Sequence, residues 1–197
     1  MAGRLRHEDV RERSINAMMQ RYRVDQEQAM RVEQTALIAL TQVRESWNLD
    51  NNEYHNMLSW AARCCETGLT IAHSQYHKHS AYLVLNSDLP GFTKRQQIQL
   101  AAIIQGHRRK FPTAAFEQLL PREAKHYSRL TILLRLAFVL NRSRSRERLP
   151  ALHLTAEDHQ LTLEFPDNWL SHQPLTQADL EQEAGYLANA GYTLAFK

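Results

Sequence analysis

The sequence predicts a mainly α-helical protein that ends in a small α+β unit. Two observations support this fold class. Across most of residues 1–148, apolar side chains recur every three to four positions, which is the period of amphipathic helices. From Leu149 and Pro150 onward, apolar and polar residues alternate, which is typical of half-buried strands. We therefore divide the chain into a helical domain at residues 1–148 and a small α+β domain at residues 149–197.

The first three helices are each marked by an apolar stripe. Residues 7–22 form an amphipathic lead-in helix. Asp25 and Gln28 have the spacing of a capping box, and a long helix follows as far as Trp47. The third helix carries an apolar stripe that runs from Met57 to Leu69, and Gly68 is placed to end it in a left-handed conformation.

Three further helices complete the predicted helical body. Residues 79–86 indicate a short buried helix, which is followed by turn-forming residues. Thr93 and Gln96 have capping-box spacing for the next helix, which ends at residues 107–110. Residues 130–140 are apolar nearly all round, as expected for a helix at the centre of an all-α core.

The pattern of the C-terminal unit predicts the order β-β-α-β. The alternating apolar residues of segment 152–165 indicate a β-hairpin with one buried face. A helix that starts at Thr176 follows, and residues 192–196 form the last strand. A unit this small has little core of its own, so we expect it to pack on the helical body.

The composition is that of an ordinary globular protein. The chain has 197 residues, 43% of them hydrophobic and 23% charged, which is enough to bury a full core. Cys64 and Cys65 are adjacent in a helical pattern that turns their side chains apart, so they form no disulfide framework and suit a reducing compartment. No signal-peptide pattern or membrane-spanning apolar run occurs. We therefore expect a cytoplasmic protein without a membrane span.

Basic residues are bunched, although the net charge is only +3. His73, His77 and His79 fall within seven residues beside Lys78, and the run His107, Arg108, Arg109 and Lys110 follows one predicted helix later. Three interpretations are open: a metal site, because imidazole is a common ligand; an anion site, because cationic side chains donate to phosphate; or a solvated polar loop. Residues 107–110 also suit simple capping of a helix C-terminus.

The segment after residue 140 contains four further arginines: Arg142, Arg144, Arg146 and Arg148. This segment is either a solvated linker or a second basic patch. The 6 glycines are scattered and form no glycine-rich phosphate loop, so nucleotide hydrolysis by a P-loop is unsupported.

Five segments in the same order carry a family resemblance: Glu66-Thr-Gly-Leu, Ile71-Ala-His-Ser-Gln-Tyr-His-Lys-His-Ser-Ala-Tyr-Leu, Asn86-Ser-Asp-Leu-Pro-Gly-Phe, His107-Arg-Arg-Lys and Leu133-Leu-Arg-Leu-Ala. With Asp167-Asn-Trp-Leu in the tail, the chain resembles the C-terminal region of bacterial exopolyphosphatases and the related guanosine pentaphosphate phosphatases. The histidine-rich loop makes the exopolyphosphatase branch the closer one. The resemblance implies a helical domain like the HD phosphohydrolase fold, followed by a small α+β domain. It also implies that catalysis, with a glutamate base and magnesium, belongs to actin-like domains N-terminal to this region.

The resemblance to HD domains implies where a metal centre would lie. A working centre needs a helical His, a His-Asp pair and a late Asp, because these ligands hold one or two divalent ions. The corresponding positions here are Gln28, the pair Cys65 and Glu66, and Phe138 or Asn141. A neutral amide and a phenyl or carboxamide group cannot supply the missing charge. We therefore expect no HD-type metal and no cofactor in this region.

The resemblance and the basic residues together predict a polyphosphate-binding and dimerisation region of an exopolyphosphatase-like hydrolase, which releases terminal phosphate from inorganic polyphosphate. We expect this region alone to be inactive. The alternatives are the same region of a guanosine pentaphosphate phosphatase and a residual metal-dependent HD phosphohydrolase. The predicted binding residues are His77, Lys78, His79, Arg108, Arg109 and Lys110, with Arg142, Arg144, Arg146 and Arg148 as a secondary patch.

Three expectations about partners and pH accompany this prediction. The apolar helices exceed what one small body needs to cover, so we expect a homodimer through the helical region. Nucleic acid is a weaker partner than polyphosphate, because only Tyr76 and Tyr82 offer stacking surfaces near the basic loop. An imidazole titrates near pH 6.5, so we expect the affinity for a phosphate chain to rise as the pH falls from about 8 to 6 through His77 and His79.

Overall fold

The computed structural model describes residues 9–197, and within them it has eight α-helices and one three-stranded sheet. The helices are α1 (Val10–Arg21), α2 (Gln26–Val43), α3 (Asn52–Cys64), α4 (Tyr76–Asn86), α5 (Lys94–Gly106), α6 (Thr113–Glu117), α7 (Pro121–Leu140) and α8 (Pro174–Asn189). The strands are β1 (His153–Glu157), β2 (Gln160–Glu164) and β3 (Thr193–Phe196). The predicted class, mainly α with a small α+β portion, is confirmed. The first two residues of the predicted lead-in helix, 7 and 8, lie outside the described residues.

The predicted helix caps form with one difference. Thr93 and Gln96 make the complete capping box of α5, in which each side chain bonds the backbone of the other residue. Asp25 caps α2 by accepting from the backbone N–H of Gln28 at 3.1 Å. The Gln28 amide does not close a box, because its Oε1 accepts from the guanidinium of Arg31. Its Nε2 donates to the carbonyl oxygen of Asn141 at 2.9 Å.

The prediction for Gly68 is wrong. Helix α3 ends at Cys64, and Gly68 lies in a 3-10 turn, Thr67–Thr70, without a positive φ. A Cβ on Gly68 would lie 2.4 Å from the carbonyl oxygen of Tyr76 and 2.5 Å from the backbone nitrogen of Ser80. Glycine is therefore required here because the first turns of α4 approach the backbone directly.

Three helices begin earlier than predicted, and one was not predicted. Helix α7 begins at Pro121, before the apolar run of residues 130–140. Helix α4 begins at Tyr76 and not at residue 79, after Gln75 in a left-handed conformation with φ 53°. Helix α8 begins at Pro174, a residue suited to the first helical position. The short α6 was missed because five residues carry too little periodicity to be read from sequence.

Helix α7 is the centre of the helical core. Most of its residues from Tyr127 onward are buried, as the apolar run predicted, and it contacts α2, α3, α5, α6 and α8. No helix within residues 9–197 is both long and apolar enough to cross a membrane.

The C-terminal unit has the predicted order β-β-α-β. Strands β1 and β2 pair antiparallel with Leu154 opposite Leu163, and β3 adds parallel to β2 with Leu194 opposite Leu161. The unit packs on the helical body through buried leucines and through Gln42, whose amide oxygen accepts from the N–H of Leu154 at 2.6 Å. Its apolar residues belong to the same core cluster as those of the helices.

Candidate functional site

The start of α4 and the segment that follows α5 enclose a cavity of about 320 Å3. Its wall includes Lys78, Arg108, Arg109 and Lys110, and we call these four residues the basic cluster. Arg108 is half-buried and the other three are exposed. The structure therefore brings together two basic segments that the sequence separates by a helix. We call this space the basic cavity.

Neighbouring side chains hold the two arginines of the cluster in place. The Cζ atom of Arg108 lies 4.4 Å from the ring centroid of Tyr76, a cation–π arrangement. Arg109 adopts a left-handed conformation with φ 64°. Arg135 donates to the carbonyl oxygens of Gly106 and Arg109 at 2.6 Å each, which fixes the path of the chain between them.

The basic cluster has no charge partner in the described part of the chain. None of its four residues lies within 4.0 Å of a carboxylate oxygen there, and no acidic side chain lines the basic cavity. Guanidinium and ammonium groups donate readily to phosphate and carboxylate. The cavity is therefore suited to an anion.

His77 lines the basic cavity but is not a cation. Its side chain is buried, with 6% exposed, and its Nδ1 atom has no hydrogen-bond partner among residues 9–197. Burial, reinforced by the charges of Arg108 and Lys78, lowers the pKa of His77 to about 4. Between pH 8 and 6 the imidazole is neutral, so His77 lacks the charge on which the expected rise in affinity depends.

The fold places the other three histidines of the two basic segments in different environments. His79 is half-buried on α4, beside Gly68, and does not line the basic cavity. His73 is exposed at its edge. His107 is buried, and its Nδ1 lies 2.5 Å from the carbonyl oxygen of Ile104. Burial lowers the pKa of His107 to about 3, so it is a neutral part of the core.

Three arginines of the secondary patch are paired with carboxylates that are distant in the sequence. The pairs are Arg142 with Asp179 at 2.6 Å, Arg144 with Glu66 at 2.6 Å and with Asp25 at 3.3 Å, and Arg146 with Glu27 at 3.6 Å. The fourth, Arg148, lines a separate cavity beside Ile38. Pairing leaves this patch with much less free charge than the basic cluster.

Three of the five positions of the expected HD-type centre line a second cavity, of about 520 Å3. Gln28, Glu66 and Phe138 line it, and Asn141 is tied to Gln28 through its carbonyl oxygen. Cys65 is buried, and burial raises the pKa of its thiol, which opposes the thiolate form that binds metals.

The donors at these positions do not fit a divalent metal. Nη2 of Arg144 donates to both carboxylate oxygens of Glu66, at 2.6 and 2.9 Å, so a guanidinium sits where a metal ion would be held. Within residues 9–197, no three His, Cys, Asp or Glu side chains converge in the manner of a metal site. The polar groups around Glu66 therefore support an ion pair and not a metal-activated water.

Aromatic rings line the second cavity, which we call the aromatic cavity. They come from Tyr76 on α4, Phe138 on α7 and Tyr186 on α8, together with His107. Tyr186 lies under Arg135, with the Cζ atom 5.3 Å from its ring centroid. Tyr82 projects elsewhere and lines neither cavity.

The sequence interpretation missed Arg135 and Glu183. Arg135 is fully buried in the apolar run of α7, and it donates to both carboxylate oxygens of Glu183 on α8. A single arginine inside the apolar run of residues 130–140 was a signal for a buried charge partner, because buried charges are usually paired. The identity of that partner, 48 residues further along, was not readable from local pattern.

Comparison with known proteins identifies the family of this chain. The family model described as Ppx/GppA phosphatase, domain III, matches residues 10–184. The chain is 34% identical over 194 residues to a guanosine-5'-triphosphate,3'-diphosphate pyrophosphatase of Pseudoalteromonas translucida, a match that covers 98% of this chain and 39% of that protein. It is 31% identical over 198 residues to a protein of the same name from Photobacterium profundum, covering 100% of this chain and 39% of that protein. The chain thus spans 39% of the length of each relative. It belongs to the Ppx/GppA phosphatase family, and the matched part is domain III of that family.

Proposed function

We propose that this chain is the substrate-holding region of a Ppx/GppA phosphatase and that it binds a phosphate chain on the basic cluster. The observation that carries the proposal is the set of four cations without carboxylate partners in residues 9–197, which converge on one cavity. Each of these side chains is chemically suited to phosphate oxygens.

Guanosine pentaphosphate is the first candidate for the ligand. Both relatives described above carry the name guanosine-5'-triphosphate,3'-diphosphate pyrophosphatase, which supports the guanosine alternative over the exopolyphosphatase branch. Inorganic polyphosphate is the second candidate, because a cation cluster does not distinguish one phosphate chain from another.

Hydrolysis is assigned in this proposal to actin-like domains N-terminal to this region, with magnesium, as the family resemblance implies. This chain would then bind the substrate without cleaving it. A residual HD phosphohydrolase activity is disfavoured, because the guanidinium of Arg144 occupies the carboxylate of Glu66. Dimerisation through the helices stays a prediction.

A double variant, Lys78→Ala with Arg109→Ala, tests the proposal. Affinities for guanosine pentaphosphate and for a polyphosphate chain are measured at several salt concentrations with the 197-residue chain. Charge-assisted contacts are worth roughly 1.5–3 kcal/mol each, so we expect a loss of tenfold or more. Each lost phosphate contact should also reduce the salt slope by about 0.7.

The matched control is Arg122→Ala with Lys125→Ala. These two exposed cations lie on α7 outside both cavities, and the change removes the same net charge. The control variant should bind nearly as the natural chain does. Unchanged affinity and salt slope in the Lys78 and Arg109 variant would show that the phosphate chain binds elsewhere.

A further inference from the structure

The two cavities share part of their walls. His73, Arg108 and Arg109 line both the basic cavity and the aromatic cavity. A ligand whose charged end lies on these two arginines can therefore extend into the larger space without leaving the protein surface.

The charges in the aromatic cavity are balanced except at this shared wall. Its three carboxylates each pair with an arginine: Glu66 with Arg144, Asp179 with Arg142, and Glu183 with Arg135. Arg108 and Arg109 are the two lining arginines that have no such partner within residues 9–197. The rest of the aromatic cavity therefore offers little net positive charge to attract further phosphate groups.

The same space is suited to an uncharged aromatic group. The rings of Tyr76, Phe138 and Tyr186 reach it from three helices, and aromatic side chains stack on nucleobases. Gln182, exposed on α8, supplies an amide that can donate to and accept from the edge of a base. A volume of about 520 Å3 lies within the usual range of small-molecule sites.

We infer that the aromatic cavity holds the nucleoside of a nucleoside polyphosphate whose phosphates lie on the basic cluster. This inference rests on the proposed function and narrows it to ligands that carry a base. An inorganic phosphate chain has no uncharged planar group to place among the rings, so it binds through the basic cluster alone.

The test compares GTP with inorganic tripolyphosphate by calorimetry on the 197-residue chain in metal-free buffer. Tripolyphosphate carries at least as much negative charge as GTP, so tighter binding of GTP would show that the nucleoside contributes to the affinity. We expect GTP to bind at least tenfold more tightly. Tyr186→Leu should remove about tenfold of the GTP affinity and leave tripolyphosphate unchanged, because stacking on a ring is lost. Tyr186→Phe should retain the preference.

The matched control is Tyr82→Leu, which removes an exposed tyrosine of α4 outside both cavities. It should change neither affinity. Equal binding of GTP and tripolyphosphate by the natural chain overturns the nucleoside site and leaves the phosphate site standing. An equal loss of both ligands in Tyr186→Leu also overturns it. Binding of neither ligand removes the proposed function and the nucleoside site with it. Circular dichroism identifies a variant that fails to fold, and the comparison on the natural chain then decides.

Discussion

Replacing Glu183 with Gln tests the buried ion pair that joins α8 to α7. The side chain of Arg135 is 0% exposed and that of Glu183 is 6% exposed. Both carboxylate oxygens accept from the guanidinium, whose remaining bonds go to the carbonyl oxygens of Gly106 and Arg109. Glutamine has nearly the same shape but no charge, so the variant leaves a guanidinium buried among neutral acceptors.

The expected cost follows from this burial. Removing one partner of a buried ion pair costs about 3–5 kcal/mol, whereas an exposed pair contributes roughly 0–1 kcal/mol. Because a domain is typically stable by only about 5–15 kcal/mol, the change should be large. Urea unfolding followed by circular dichroism at neutral pH measures the free energy of unfolding.

The control variant is Asp179→Asn, which breaks the neighbouring pair between α8 and Arg142 in the segment that follows α7. Its partner Arg142 is 64% exposed, so we expect a loss of at most about 1 kcal/mol. If Glu183→Gln costs no more than Asp179→Asn, the reasoning from burial is refuted. Adding Arg135→Met to Glu183→Gln should recover part of the loss, because it removes the stranded charge.

Two further predictions concern stability. Burial lowers the pKa of His77 to about 4 and of His107 to about 3, so below about pH 6.5 the unfolded chain takes up protons that the folded chain does not. The free energy of unfolding should therefore fall by about 2 kcal/mol per histidine between pH 8 and 5. His77→Gln should remove one of these contributions. If the variant shows the same pH dependence of stability as the natural chain, His77 is not the source of that contribution. Gly68→Ala should destabilise by about 1–3 kcal/mol, because its Cβ would meet backbone atoms at 2.4 and 2.5 Å. Gly185→Ala should stabilise by about 0.5–1 kcal/mol, because Gly185 lies inside α8 and its added Cβ would meet nothing within 4 Å. Thermal unfolding of both variants measures the change in melting temperature. Changes of the same sign would contradict this reasoning.

Local patterns in the sequence determine much of this fold. The capping box of Thr93 and Gln96, the alternation of the β-hairpin and the apolar run of α7 each depend on residues within a few positions of one another. Such patterns report backbone periodicity and hydrogen bonding that form within a single element. The motifs that carry the family resemblance are equally local, and the family that they indicate is confirmed by the match over residues 10–184.

Tertiary structure alone decides which charges are available to a ligand. Arg142 and Arg144 look as free in the sequence as Arg108 and Arg109, but their carboxylate partners, Asp179 and Glu66, come from distant parts of the chain. The neutrality of His77 depends in the same way on burial between α4 and the segment after α5. Ion pairing and desolvation act through space between residues that are distant in sequence. The sequence therefore predicts a basic patch, but only the packing of the helices decides which basic residues remain unpaired and charged.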